Sequence, residues 1–341
     1  MKIIKDNMSK ILNGMSIGII VALMPEAVFG EIIKALHLTS LTPFLSISTA
    51  MMGATIGVCI ALKYKYDMIS ASSLIISTFV AAGSMKGINE EGMIMLKGAG
   101  DIINCMIGAV IAISLINFFG PKLKAYKLIL LPAITIITTS AITSFTAPSV
   151  SMISVGIGEM INSFTVMQPL IMSILIAISF AIIIVSPIST VAIALLISLT
   201  MNSSAAATMG VACMAMTMGI LSYKANGAGT AIAHFMGSPK IQMANCIKNP
   251  KIIIPGIISA IICSTLVPIF NIQGTPMSAG FGLAGLIGPL GHLNKVGFSI
   301  HNLLITGFVF IVAPVITSLV CSYVFKDKMK IVDDEAFKLD Y

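Results

Sequence analysis

The chain has 341 residues, 57% of them hydrophobic and 10% charged, with a mean hydropathy of +1.03. Soluble domains hold about 45–50% apolar and about 25% charged residues, so a soluble fold is excluded. The net charge of +7 rests on 20 basic residues, all lysines; they stand in short runs between apolar segments, where topology rather than phosphate binding accounts for them, and no nucleic-acid partner is expected.

Apolar stretches of about 20 residues, the length that crosses a bilayer, recur along nearly the whole chain, with room for about eight to ten spans. The expected fold is an all-α polytopic integral membrane protein with re-entrant or broken helices, forming one membrane-embedded domain over residues 1–341. The first spans read as Ile11 to Ile33, Leu41 to Leu62, Met68 to Gly83, Ile102 to Gly120 and Leu128 to Ser144. No small-residue cleavage site closes the first of them, which reads as a retained span. Lys2, Lys5 and Lys10, then Lys63 and Lys65, then Lys122, Lys124 and Lys127 fill alternate loops. The other loops hold Lys34, or Lys86 and Lys97 offset by Glu90, Glu91 and Asp101. Positive loops stay inside, so the N-terminus is expected in the cytoplasm.

From Leu128 to Tyr223 the only charge is Glu159, and Pro148, Pro169 and Pro187 are candidate breaks. Met167 to Thr200 is too long for one upright span, and Ser186-Pro187 divides it. Ala205 to Ser222, Ile252 to Phe270, the Gly-rich Thr275 to Leu293 and Leu303 to Phe325 follow. Residues 326–341 form a charged tail opening with Lys326, Lys328 and Lys330, expected in the cytoplasm. The six cysteines stand singly and read as buried thiols. No nucleotide loop or metal spacing is present, and no cofactor is expected.

The densest polar block inside the apolar sequence runs from Asn226 through Gly227, Gly229, Thr230, His234, Gly237 and Lys240 to Gln242 and Asn245. Irregular backbone at membrane depth is tolerated only where protein buries it or it lines a wet cavity, which is where transporters bind solutes. Asn226, Thr230, His234, Gln242 and Asn245 are therefore candidate substrate-binding residues, against the plainer reading of a cytoplasmic loop. A second block, Gln273 to His292, carries Thr275 and Ser278 among glycines 280, 282, 285, 288 and 291. Such a run suits a broken helix or close helix packing. Acids within a span cost about 2.5–3.5 kcal/mol at its centre, so Glu26 and Glu159 also stand as candidates.

At Gly229-Thr-Ala-Ile-Ala-His234-Phe, Gly237-Ser-Pro-Lys-Ile-Gln-Met-Ala-Asn245 and Thr275-Pro-Met-Ser-Ala-Gly-Phe-Gly282, and at Met24-Pro-Glu26-Ala-Val-Phe-Gly-Glu31, the chain resembles bacterial phosphotransferase-system (PTS) enzyme IIC-like membrane proteins. That family includes proteins resembling the perfringolysin regulator of clostridia. The resemblance implies a permease subunit in the bacterial cell membrane. It would pass a sugar-like solute by an elevator motion to separate cytoplasmic IIA and IIB subunits, and would form a homodimer. Sugar-specific members pair a histidine with a glutamate in a Gly-Ile-Thr-Glu turn; His234 matches the first, and this sequence has no such turn. No phosphocysteine or phosphohistidine domain is present, so at most the chain is the membrane subunit of a phosphotransferase complex. Two other readings stay open: a membrane-embedded sensor or regulator on a permease scaffold, and an ion-coupled secondary transporter using Glu159 and Glu26.

Overall fold

The computed structural model describes residues 2–89, 92–96, 98–236, 238–276 and 278–339. The chain divides into two compact units, Met1–Glu26 with Ile33–Ile153, and Ala27–Ile32 with Ser154–Asp340.

The first unit holds most of α1 (Lys2–Ala35), α2 (Thr42–Ala50), α3 (Met52–Tyr64), α4 (Met68–Ala82), a hairpin of β1 (Met85–Ile88) and β2 (Ile94–Leu96), α5 (Ile102–Leu123) and most of α6 (Lys127–Phe164). Its helices meet through small residues. Gly14 and Gly18 on α1 leave no space for a Cβ beside Ile60 and Ile56, and Gly53 and Gly57 on α3 lie against Phe79 and Ile75. Glycines spaced by four let backbones approach closely, which drives association where lipid is as apolar as leucine. Buried Asn104 adds polar glue: its Nδ2 donates to Ala81 O at 2.8 Å and Thr143 O at 3.2 Å, while Thr146 donates to its Oδ1 at 2.6 Å. Asp67 caps α4 by accepting from Ile69 N and Ser70 N and pairs with Lys127 at 2.6 Å. That ammonium holds the Asp67 carboxyl down at about 2.

In the second unit α7 (Pro169–Ile184), α11 (Ile254–Ser264) and α15 (Ala313–Ser322) pack around α9 (Met201–Met236), whose residues between 203 and 219 are all buried. Short helices α8 (Thr190–Leu196), α10 (Met243–Lys248), α12 (Leu266–Ile269), α13 (Ile287–Val296) and α14 (Ile300–Gly307) complete it. Hydroxyls join the core helices: Thr217 meets Ser318 at 2.8 Å and Ser259 meets Thr317 at 2.8 Å. Each such bond is worth roughly 0.6 kcal/mol within a membrane.

Among the described residues five helical runs are long and apolar enough to cross a bilayer, or six with α2 and α3, bent by 54°, taken as one. The run 102–164 folds back on itself, because Asn104 on α5 bonds Thr146 on α6; one run thus supplies two passes. The protein is a polytopic helical membrane protein; α4 and α7 are shorter apolar helices, close to the expected Met68 to Gly83 and to the part of Met167 to Thr200 before Ser186-Pro187. The proline breaks sort by position. Pro169 opens α7 and Pro187 lies in the turn before α8, whereas Pro148 sits inside α6. Thr275 to Leu293 is not one helix: turns run to Leu286, where α13 begins. The β1–β2 hairpin has no counterpart in the sequence reading.

Candidate functional site

The long helix α9 breaks once, at Gly227, whose φ of 83° and ψ of 177° no residue with a Cβ adopts readily. Before the bend stands Asn226; one and two turns after it stand Thr230 and His234. The imidazole is fully buried. Its Nδ1 lies 2.6 Å from Thr230 O. A carbonyl oxygen only accepts, so Nδ1 carries the proton and Nε2 presents a lone pair. Among the described residues that Nε2 has no partner. A buried acceptor left unsatisfied costs about 1–3 kcal/mol, so a donor brought to it, such as a hydroxyl, gains more than on open surface.

The remaining carboxamides of the block are engaged by the C-terminal tail. Asn226 Nδ2 donates to Phe337 O at 2.7 Å, and Gln242 Nε2 donates to the same oxygen at 2.9 Å. Asn245 Nδ2 donates to Lys338 O at 2.9 Å and to Gln242 Oε1 at 2.7 Å. Leu339 N returns a bond to Asn226 Oδ1 at 2.9 Å. The Phe337 ring is fully buried, and Lys326 pairs with Asp334 at the base of the tail.

Between α9 and α10 the Lys240 side chain is buried and donates to Ser186 O at 2.5 Å and Ile188 O at 2.7 Å, tying the turn after α7 to the polar block. Its partners are carbonyls rather than a carboxylate, and burial pushes the ammonium down to about 7. The unfolded chain keeps that proton to about pH 10. Purified protein is therefore expected to gain stability as pH rises from about 7 towards 10, because only the unfolded state then binds the extra proton. Melting temperatures at the two ends of that range check this, and Lys240→Met should flatten the difference.

Thr275 and Ser278 lie at the opposite end of α9's first limb. Ser204 Oγ donates to Thr275 O at 2.6 Å, Thr208 Oγ1 to Ser278 O at 3.1 Å, and Thr190 Oγ1 on α8 to Gly280 O at 2.8 Å. Ser278 Oγ also accepts from Thr275 N at 2.9 Å. His292 Nδ1 accepts from Gln273 N at 3.1 Å, and burial lowers its pKa. Side chains of α8, α9 and α13 thus satisfy the irregular 272–286 segment. From Ser204 to Asn226 is about 33 Å at 1.5 Å per residue, close to a hydrocarbon thickness. The two blocks are therefore separate clusters at the two ends of a spanning helix.

Glu159, exposed on α6, lines an open cleft of about 340 Å³ with Val155, Asn162, Leu196, Ile197 and Ser198. Glu26, on α1 after Pro25, accepts from Thr49 Oγ1 within the first unit. Among the described residues no group of three or more His, Cys, Asp or Glu could hold a metal ion.

Sequence reasoning did not select Lys240, Ser204, Thr208, Thr190 or the tail carbonyls. Ser204 and Thr208 carried a faint signal, two hydroxyls one turn apart in an alanine-rich helix, and Lys240 another, a lone cation inside the polar block. The tail carbonyls carried none, since any residue supplies one.

A family model described as "Phosphotransferase system, EIIC" matches residues 9–339, nearly the whole chain. The chain belongs to this family. It is accordingly a multi-pass membrane component of phosphotransferase-system transport, and enzyme IIC domains work with IIA and IIB subunits. No curated protein and no solved structure matches it. In this enzyme IIC chain the nine candidate residues divide: Asn226, Thr230, His234, Gln242 and Asn245 gather around the α9 bend, Thr275 and Ser278 at its far end, and Glu159 and Glu26 elsewhere.

Proposed function

We propose that this enzyme IIC chain is the permease subunit for a sugar-like, hydroxyl-bearing solute, which it translocates by alternating access and presents for phosphorylation to separate IIA and IIB proteins. The observation that carries this reading is His234: a buried acceptor with no donor among the described residues, beside a glycine bend, in a family of phosphotransferase-system transport components. Thr230, at the bend, would sit one turn from the solute. The second unit holds both polar blocks in one continuous core, a body able to move as a whole. Lys224, Lys240, Lys248 and Lys251 flank the residues that bond the tail, which opens with Lys326, Lys328 and Lys330. This supports a cytoplasmic position for the block and for the C-terminus.

The test is phosphoenolpyruvate-dependent uptake. Membrane vesicles containing the chain, supplied with IIA, IIB and the general phosphotransferase proteins, are given radiolabelled hexoses, hexitols and pentitols. Accumulation of one of them as its phosphate is the expected result; no accumulation of any would overturn the reading.

One observation favours a regulator on the same scaffold: the tail already occupies Asn226, Gln242 and Asn245. In that case the purified chain binds a solute in a thermal-shift screen but liposomes carrying it show no flux.

A further inference from the structure

We infer that the C-terminal segment 335–339 is a releasable strap that holds the α9 bend closed over His234. Three observations converge on it. First, the imidazole is fully buried and its Nε2 has no partner among the described residues, so a solute reaches it only if a neighbouring element moves. Second, the element that can move has a hinge. Gly227 holds a backbone conformation suited to glycine, and a Cβ built there meets nothing within 4 Å, so no side chain packs against the bend itself and its dihedrals can change there.

Third, the strap bridges that hinge. The single oxygen Phe337 O accepts from Asn226 on one side of the bend and from Gln242 on the other. Asn226 is also bound from the opposite direction by Leu339 N, and Asn245 by Lys338 O. These partners are backbone groups at the end of a 3-10 turn, Glu335–Phe337, and the Phe337 ring is its deep apolar anchor. Its connection to the end of α15 passes through the Lys326–Asp334 pair. Five residues, held by four carboxamide bonds and one ring, form a detachable contact rather than a structural layer. Release would take from Asn226, Gln242 and Asn245 the tail bonds that they make on either side of the bend, turning a closed site into an open polar one.

The inference builds on His234 as the solute contact, but its test reads chemical accessibility and so can fail independently of transport. Diethyl pyrocarbonate is applied to the detergent-purified chain, and acylation of each histidine is quantified by peptide mass spectrometry. His37 and His301, both exposed, serve as references. In the full chain His234 should stay unmodified. In a chain ending at Asp334 its modification should rise at least tenfold, while the core thiols Cys213 and Cys263 remain silent to maleimide. A synthetic peptide of residues 331–341, added in trans, should restore protection. If shortening the tail unmasks the core thiols, Asn226→Ala/Gln242→Ala, which keeps Phe337 in place, is read in the same way. His234 protected equally in the strapless and strapped proteins, with a silent core, would overturn the inference. So would protection that the peptide does not restore.

Discussion

His234→Ala is expected to abolish solute uptake while the protein still folds. The side chain makes one hydrogen bond, to a carbonyl one turn back on its own helix, and its other nitrogen has no partner among the described residues. Truncation therefore breaks no tertiary polar contact, and it removes an acceptor whose burial is itself costly. A solute hydroxyl that relied on that acceptor would be left buried and unpaired instead. We expect kcat/KM for uptake to fall by about 100-fold or more, equivalent to about 2.7 kcal/mol. Initial rates across solute concentration, with size-exclusion profiles as the folding check, measure it. Undiminished uptake would remove His234 from the site.

Gly210→Val should prevent folding altogether. A Cβ at position 210 would lie 2.1 Å from Ala177 O, a backbone oxygen that no rotamer change can move aside. Overpacking a core costs typically about 1–3 kcal/mol when side chains can yield; here α7 and α9, the centre of the second unit, must separate. Gly229→Ala is the matched control. Nothing lies within 4 Å of its Cβ, and alanine in place of glycine favours a helix by about 0.5–1 kcal/mol. Monodisperse protein in detergent for Gly229→Ala and aggregate for Gly210→Val is the expected pair of results; a well-folded Gly210→Val would refute the packing described for α7 and α9.

What sequence reading could reach is set by the range of the forces involved. Membrane class and the break at Ser186-Pro187 were legible, because hydropathy and proline act within a few residues; the glycines of Gln273 to His292 left a broken helix and close helix packing as two open readings. Family resemblance was legible from the blocks around His234 and Thr275. The passage of α6 through Pro148 was not, since a helix tolerates proline in a membrane when neighbouring side chains and packing compensate it. Nor was the engagement of Asn226, Gln242 and Asn245. A carboxamide next to glycines looks the same whether it faces a solute or a distant carbonyl, and its partners here lie 93 to 113 residues further along the chain. Separation in space also escaped the linear pattern: two polar blocks about 40 residues apart in sequence prove to lie at opposite ends of one helix.

That long sequence separation has a consequence for biogenesis. The bond from Asn226 to Phe337 spans 111 residues, so α9 enters the membrane well before its partner exists. At about 5–20 residues per second, synthesis leaves the bend unstrapped for roughly 5–20 s. During that interval its amides and the imidazole beyond them must be hydrated or held by the insertion machinery. Closure of the second unit then waits on the synthesis of residues 335–339 rather than on the hydrophobic collapse that precedes it.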